Sequence, residues 1–237
     1  MYNMLQFEIF KKKGKNLNSN TKLPMAQIIK EKIENMIINN ELVAGTKLEE
    51  VDLAKQFNVS RTPIREALRN LEASQLVTII PKKGAFVSEV SVQKLIEIFT
   101  VVAELESLCA KLAARRISKE ESKLLKQACK ACEKAYLNNN VDEYFKENLK
   151  FHQLIYEASN NDFLITEMGH LKTRLLPFRK IQLKVKNRMK LSLDEHIQVA
   201  AAILEGREND AQEIMRKHVL IQGELFADMI ALAFIDK

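Results

Sequence analysis

The chain is poor in several residue types. It has no tryptophan, only 6% aromatic residues, six glycines, four prolines and three cysteines in 237 residues. The few glycines form no dinucleotide or P-loop pattern, so nucleotide-dependent enzyme classes lack their phosphate cradle. Three cysteines cannot make a disulfide framework and point to a reducing compartment. Cys129 and Cys132 form a C-x-x-C, but inside the strongly helical run Lys126–Lys134, with no second pair and no preceding strand, so neither a zinc knuckle nor a thioredoxin-like site is implied. Cys109 falls on an apolar helical stripe and reads as a small core residue. No apolar run approaches the length of a membrane-spanning helix. The apolar Met4–Phe10 stretch precedes Lys11-Lys12-Lys13-Gly14-Lys15, the reverse of signal-peptide order, so residues 1–22 read as a flexible basic arm in a cytoplasmic context.

Charge is present and unevenly placed. Residues 1–90 hold 14 Lys/Arg against 10 Asp/Glu, so +4 of the formal +6 lies in the first 90 residues. A basic N-terminal part suits a phosphate-bearing partner. The length fits two domains.

Residues 59–69, Val-Ser-Arg-Thr-Pro-Ile-Arg-Glu-Ala-Leu-Arg, read as the turn and second helix of a helix-turn-helix. Ser60 is placed as an N-cap whose hydroxyl can take a first-turn amide, and Pro63 sits where a missing N–H is harmless. Ile64, Ala67, Leu68 and Leu71 form a buried stripe at helical spacing. Arg61, Thr62, Arg65 and Arg69 are left on the other side, near the end of the helix that reads a major groove. Upstream, Leu53, Ala54 and Phe57 mark a short helix (about 49–57), and Asn58-Val59 the tight turn. Ile29, Ile33, Met36 and Ile37 mark a longer helix ended by Asn39-Asn40. Downstream, Leu76–Ile80 and Ala85–Val87 are β-rich and flank the turn signal Pro81-Lys82-Lys83-Gly84. Three helices and a hairpin tipped by Lys82, Lys83 and Gly84 make a winged helix-turn-helix over residues 23–90.

Residues 25–90 resemble the DNA-binding domain of the GntR family of bacterial transcriptional regulators. The resemblance runs through Gly45–Leu48, Glu50–Ala54, Val59–Leu68, Leu71-Glu72, Leu76-Val77 and Pro81–Val87. It implies base or phosphate contacts by Arg61, Thr62 and Arg65, and a wing tip at Gly84 in the minor groove. Gln75 stands where the family has a glycine that permits a left-handed helix exit, so mild strain is expected there.

From Ser91 onward the pattern is helical, which makes residues 91–237 an antiparallel all-α bundle. Leu95, Ile98, Phe99, Val102, Leu105, Cys109, Leu112 and Ala113 keep helical spacing over about 91–116. Further helices are expected near about 118–138, 141–159, 161–186, 190–206 and 208–235, the fourth interrupted or kinked by Gly169 and Pro177. Asn148 and His152 are four residues apart and share a helix face. His196 lies in the next-to-last helix and His218 in the last. Three imidazoles from three helices can hold zinc, nickel or a similar divalent ion; spacing alone does not show that they converge.

This half resembles the FCD domain, the helical ligand-binding domain of the FadR-type branch. The residues concerned are Glu106, Leu112–Ala114, Phe151-His152, Ala158–Asn160, Glu195-His196 and Arg216–His218. The resemblance implies a divalent metal held by His152, His196 and His218, facing a pocket for a small carboxylate. It places the family's acidic ligand at Asn148, a neutral and weaker donor, and Val102 where many members have an arginine. Arg174 is a candidate carboxylate anchor. The expected protein is a cytoplasmic, homodimeric, ligand-responsive regulator, a repressor in the family's commoner mode, that binds an operator in double-stranded DNA. In it, a small-molecule effector in residues 91–237 shifts the placement of the two DNA-binding domains. The alternative is a metal-dependent hydrolase built on the three histidines, with Glu195 the carboxylate nearest to a general-base position.

Overall fold

The computed structural model describes residues 23–235, and of His170 and residues 224–235 the backbone alone. The basic arm expected at 1–22 lies outside the described residues. The chain divides into two compact units between Glu89 and Val90.

The first unit runs α1 (Met25–Ile38), β1 (Lys47–Leu48), α2 (Glu50–Phe57), α3 (Arg61–Ala73), β2 (Val77–Ile80) and β3 (Gly84–Val87). The strands form one antiparallel sheet in the order β1-β3-β2, with Ile80 opposite Gly84 and Leu48 opposite Ala85. Strand β1 was not expected, because two residues carry no periodicity. It is fixed by backbone bonds just before it: the Gly45 amide donates to the Val87 carbonyl (3.0 Å) and the Val87 amide to the Thr46 carbonyl (2.9 Å). All four residues of the α3 stripe, Ile64, Ala67, Leu68 and Leu71, are buried against Ile29, Ile33 and Ile37 of α1 and Leu76, Val77, Ala85 and Val87 of the sheet region. Met36 is only half-buried; Ile38 is buried instead.

A chain short of glycine must leave its helices by other means. Asn40, Asn58, Asn139 and Asn160 adopt positive φ at helix exits, and Asn187 does so at the start of the helix that begins at Arg188, using the short amide side chain's tolerance of the left-handed region. Gln75 has no such tolerance, yet its φ is 60°. It occupies the left-handed position of a Schellman exit from α3, in which the Leu76 amide reaches back to the Leu71 carbonyl (3.0 Å) and the Gln75 amide to that of Glu72 (2.8 Å). Leu71 and Leu76 are both buried, so this apolar contact holds the exit against the strain.

The second unit is a helical bundle of α4 (Val92–Arg116), α5 (Lys119–Leu137), α6 (Val141–Ala158), α7 (Asp162–Gln182), α8 (Arg188–Leu204) and α9 (Glu208–Ile235). Side chains cap several helix starts: Ser91 takes the Lys94 amide, Asn140 that of Glu143 and Asn161 that of Leu164, while Ser118 and Glu121 form a reciprocal capping box. Helix α4 packs on α6, α7, α8 and α9. The expected interruption of α7 does not occur: the helix runs through Gly169 and Pro177. Pro177 cannot bond the Thr173 carbonyl, but the adjacent Leu175 and Leu176 are fully buried, and this packing keeps the helix continuous. Cys109 and Cys132 are also fully buried and Cys129 half-buried, all as free thiols. Burial pushes the Cys129 thiol up to about 11 and the other two higher, which leaves little reactive thiolate.

The strain at Gln75 gives a signed prediction. Gln75→Gly raises stability by about 0.5–1 kcal/mol, as relief of the left-handed conformation outweighs the added chain entropy. Gln75→Val, β-branched at the same φ, lowers it by about 1 kcal/mol or more. Thermal melting of the two variants checks both signs.

Candidate functional site

Two places bring together the residues singled out by the sequence. The first is the outer side of α3. Burial of Ile64, Ala67, Leu68 and Leu71 turns Arg61, Thr62, Arg65 and Arg69 outward, and all four are exposed. Ser60 is the N-cap residue with extended backbone, as expected, but its side chain makes no capping hydrogen bond. The capping role assigned to the hydroxyl is therefore corrected: the position starts the helix through its backbone alone. On the hairpin, Lys82 (φ 66°), Lys83 and Gly84 (φ 104°) are all exposed. A side chain at Gly84 would find room, its nearest neighbour being Lys47 Cε at 3.5 Å; the backbone angle is what favours glycine there.

Sequence reasoning gave Glu50 no role, and the structure does. Its carboxylate, on the first turn of α2, receives both guanidinium groups. Arg61 donates from Nη2 (2.8 Å) and Nε (3.2 Å) to Oε2; Arg65 donates from Nε to Oε1 (3.0 Å) and Oε2 (2.8 Å). Slight burial works to raise the Glu50 pKa, but the two arginines hold it below the usual carboxylate range.

The second place is inside the bundle. His152 of α6, His196 of α8 and His218 of α9 are all buried and offer ligand atoms within 4.8 Å of one another. The convergence that spacing alone left open is met. His152 Nε2 and His218 Nε2 lie 3.3 Å apart, the separation of two imidazoles sharing a tetrahedral ion at bonds of about 2.0–2.1 Å. The opposite nitrogens face carboxylates: His218 Nδ1 is 2.5 Å from Glu195 Oε2 and His152 Nδ1 is 2.7 Å from Glu106 Oε2, the latter out of line for a good hydrogen bond. A carboxylate behind each imidazole is the arrangement that fixes a metal-binding tautomer. Both ring nitrogens of His196 are buried with no hydrogen-bond partner among the described residues. Such a group is costly unless something accepts its lone pair. Burial drives His218 down to about 4, although Glu195 pulls the other way, and drives His196 well below the ordinary histidine range. Both are neutral near pH 7, the state a metal requires.

Behind the triad lies a network that the sequence reading missed. Glu106 is fully buried on α4 and also bonds the buried Arg179 of α7. Burial would raise the Glu106 carboxyl, but Arg179 and His152 hold it far below the usual range. The available signal was an acid in step with the apolar stripe, four residues after Val102, which is itself fully buried. Arg174, the expected carboxylate anchor, is half-buried, with a buried Nε that has no hydrogen-bond partner among the described residues. Arg179 falls one turn beyond the buried Leu175 and Leu176, and so faces inward in its place. Asn148 is buried one turn before His152. Glu195 is taken up by His218 and by Arg188, which donates Nη2 to it at 2.9 Å. That occupancy leaves it poorly placed as the general base of a hydrolase.

The fold and the two sites define a winged-helix DNA-binding regulator with a helical effector domain. A family model described as bacterial regulatory proteins, gntR family, matches residues 25–87, and one for the FCD domain matches 97–220. The chain is 30% identical to the HTH-type transcriptional regulator YdhC of Bacillus subtilis (strain 168), over 79% of this chain and 83% of that protein. It is 26% identical to the HTH-type transcriptional repressor RspR of Escherichia coli (strain K12), over 83% and 86%. The solved structure of E. coli McbR/YncC shares the fold with a TM-score of 0.76 at 19% identity, covering 88% of this chain and all of that one. The chain belongs to the GntR family, in its FadR-type branch with an FCD domain, and is a transcriptional regulator. The hydrolase alternative finds no support among these relatives.

The buried Glu106–Arg179 pair carries a prediction. Arg179→Met leaves a buried carboxylate short of its main partner and costs about 3–5 kcal/mol, whereas Arg179→Met combined with Glu106→Leu recovers most of that loss. Urea unfolding of the single and double variants measures it.

Proposed function

We propose that the protein is a cytoplasmic, homodimeric repressor whose operator affinity is set by a small carboxylate bound beside a divalent metal in the bundle. Residues 23–90 serve as the DNA-binding domain and 91–237 as the effector-binding and dimerisation domain, with 1–22 adding basic charge. Similarity to the repressor RspR supports the sign of regulation. Among the described residues no helix is long and apolar enough to cross a membrane.

In the DNA-binding domain, Arg61, Thr62, Arg65 and Arg69 of α3 meet base edges and phosphates, with the Ser60 hydroxyl available beside them. Lys82, Lys83 and Gly84 approach the minor groove. In the bundle, His152, His196 and His218 hold the ion, and Asn148 contributes weakly through its neutral amide oxygen. Zinc or nickel held there supplies a Lewis-acidic position for a carboxylate oxygen. Glu195 holds the His218 imidazole in the required tautomer, and the Glu106 carboxylate stands beside the His152 ring. Arg174 is the guanidinium offered to the effector, since Arg179 is committed to Glu106. The effector changes operator binding only as far as its affinities for the DNA-competent and incompetent populations differ. The observation that carries the metal reading is the buried His196 ring, with neither nitrogen partnered among the described residues.

Arg65→Ala and Arg61→Ala each weaken operator binding by about 1–3 kcal/mol in anisotropy titrations; unchanged affinity in both removes α3 from the interface. Metal analysis of purified protein finds about one divalent ion per subunit. Replacing any one of the three histidines by alanine sharply lowers that content, and Asn148→Asp raises zinc affinity in calorimetric titration, because it supplies an anionic ligand. Zinc also raises the melting temperature, since it binds the folded state alone. Protein that carries no metal and takes none up overturns the metal reading and leaves the effector held by hydrogen bonds.

A further inference from the structure

We infer that Gln222 is a further protein donor to the ion of the bundle, and that metal binding turns its side-chain amide over, putting the oxygen where the nitrogen now bonds His218. The inference rests on the metal reading of the three histidines and adds to it a ligand and a movement.

Gln222 lies on α9 one turn after His218, so both side chains leave the same face of the helix. It is 7% exposed. Its backbone is held from two sides. Gln182 of α7 donates its side-chain amide to the Gln222 main-chain carbonyl. At the adjacent Gly223 a Cβ would stand 3.0 Å from Phe99 Cβ, so α9 lies close on α4 at this point. The Gln222 Nε2 is 3.2 Å from His218 Nε2, and His152 Nε2 is 3.3 Å from the same atom. Two donors bound to one ion at about 2.0–2.2 Å stand about 2.9–3.4 Å apart, for bond angles between square and tetrahedral. The Gln222 amide thus occupies the place of a ligand, not of a group behind one.

What stands there is the wrong end of the amide. Glu195 accepts from the His218 Nδ1–H, so His218 Nε2 carries the lone pair and the Gln222 N–H takes it up. A metal needs that lone pair, and an amide nitrogen has none of its own to offer. A half-turn about the last side-chain bond exchanges Nε2 for Oε1 almost in place. Gln222 Oε1 is buried with no hydrogen-bond partner among the described residues. The turn therefore breaks only the bond to His218, which metal binding breaks in any case, and it gives the buried oxygen a partner. Asn148 offers the ion only a neutral oxygen from α6, and a second amide oxygen from α9 offsets part of that weakness.

The two roles open to Gln222 have opposite signs. As a ligand it strengthens metal binding. As no more than a hydrogen-bond donor to His218 it competes with the metal, and its removal strengthens binding. Metal-free full-length wild type, Gln222→Leu and Gln222→Glu are titrated with zinc by calorimetry against a competing chelator and melted without zinc, and zinc-loaded wild type is crystallised. Gln222→Leu, similar in size and without an oxygen, binds zinc about tenfold or more weakly than wild type. Gln222→Glu, which keeps an oxygen and adds a charge, binds at least as tightly as wild type. The crystals show Gln222 Oε1 about 2.0–2.2 Å from the ion.

Zinc affinity in Gln222→Leu equal to or above that of wild type overturns the inference. So does Gln222→Glu as weak as Gln222→Leu, or a zinc-loaded structure with Gln222 Oε1 beyond bonding distance. Should metal-free Gln222→Leu melt well below wild type, Gln222→Glu and the crystal structure still decide. Failure of wild type to take up zinc overturns the metal reading itself, a result distinct from uptake that ignores Gln222.

Discussion

The bundle depends on one buried carboxylate. Glu106 sits on α4 within an otherwise apolar stripe, where an unpaired charge would be expelled or neutralised. It stays ionised because Arg179 of α7 bonds it and His152 of α6 stands against its other oxygen. Three helices are thereby held in a register that apolar packing alone would specify loosely. The other nitrogen of the His152 ring faces His218. Glu195 and Arg188 repeat the device on the far side of the triad. The polar centre of the bundle is thus one connected network, and the placing of its histidines follows from the constraints that keep its charges buried.

Most of the architecture was legible in the sequence, for identifiable reasons. The α3 stripe could be read because Ile64, Ala67, Leu68 and Leu71 all obey one period, and all four are buried. Helix ends were legible because asparagine stands at left-handed exits in a chain short of glycine. Gln75 was legible as strain because a residue without that tolerance occupies the same kind of exit. The continuity of α7 was not, since Gly169 and Pro177 are local signals, whereas the burial of Leu175 and Leu176 that overrides them is tertiary. Strand β1 was too short to leave a pattern.

The residues of the candidate site divided along the same line. His152, His196 and His218 were visible because histidine is scarce here, but their convergence is a property of three helices and no spacing within one helix encodes it. Arg179 was hidden among the cations of α7, where the half-buried Arg174 and Lys180 look the same in sequence as a fully buried arginine. Only its phase relative to Leu175 and Leu176 sets it apart, and that phase was readable. The Ser60 hydroxyl marks the opposite limit: the residue type foretold the start of the helix correctly and the hydrogen bond incorrectly, because a position can favour a residue for its backbone as much as for its side chain.

The two carboxylate–arginine contacts in this protein have the same chemistry and opposite uses, and burial decides which. Around Glu106 no water replaces a lost partner, so separating the pair leaves a charge in a dry core, and the contact is effectively permanent. Around Glu50 both arginine side chains are more than half exposed, and an exposed pair of this kind contributes at most about 1 kcal/mol. Water or a phosphate can replace either partner at small cost. The exposed clamp can therefore orient side chains and still exchange partners, while the buried one can only hold shape. A regulator needs both: a rigid network where a ligand must be recognised, and a weak, directional one where each partner must remain exchangeable.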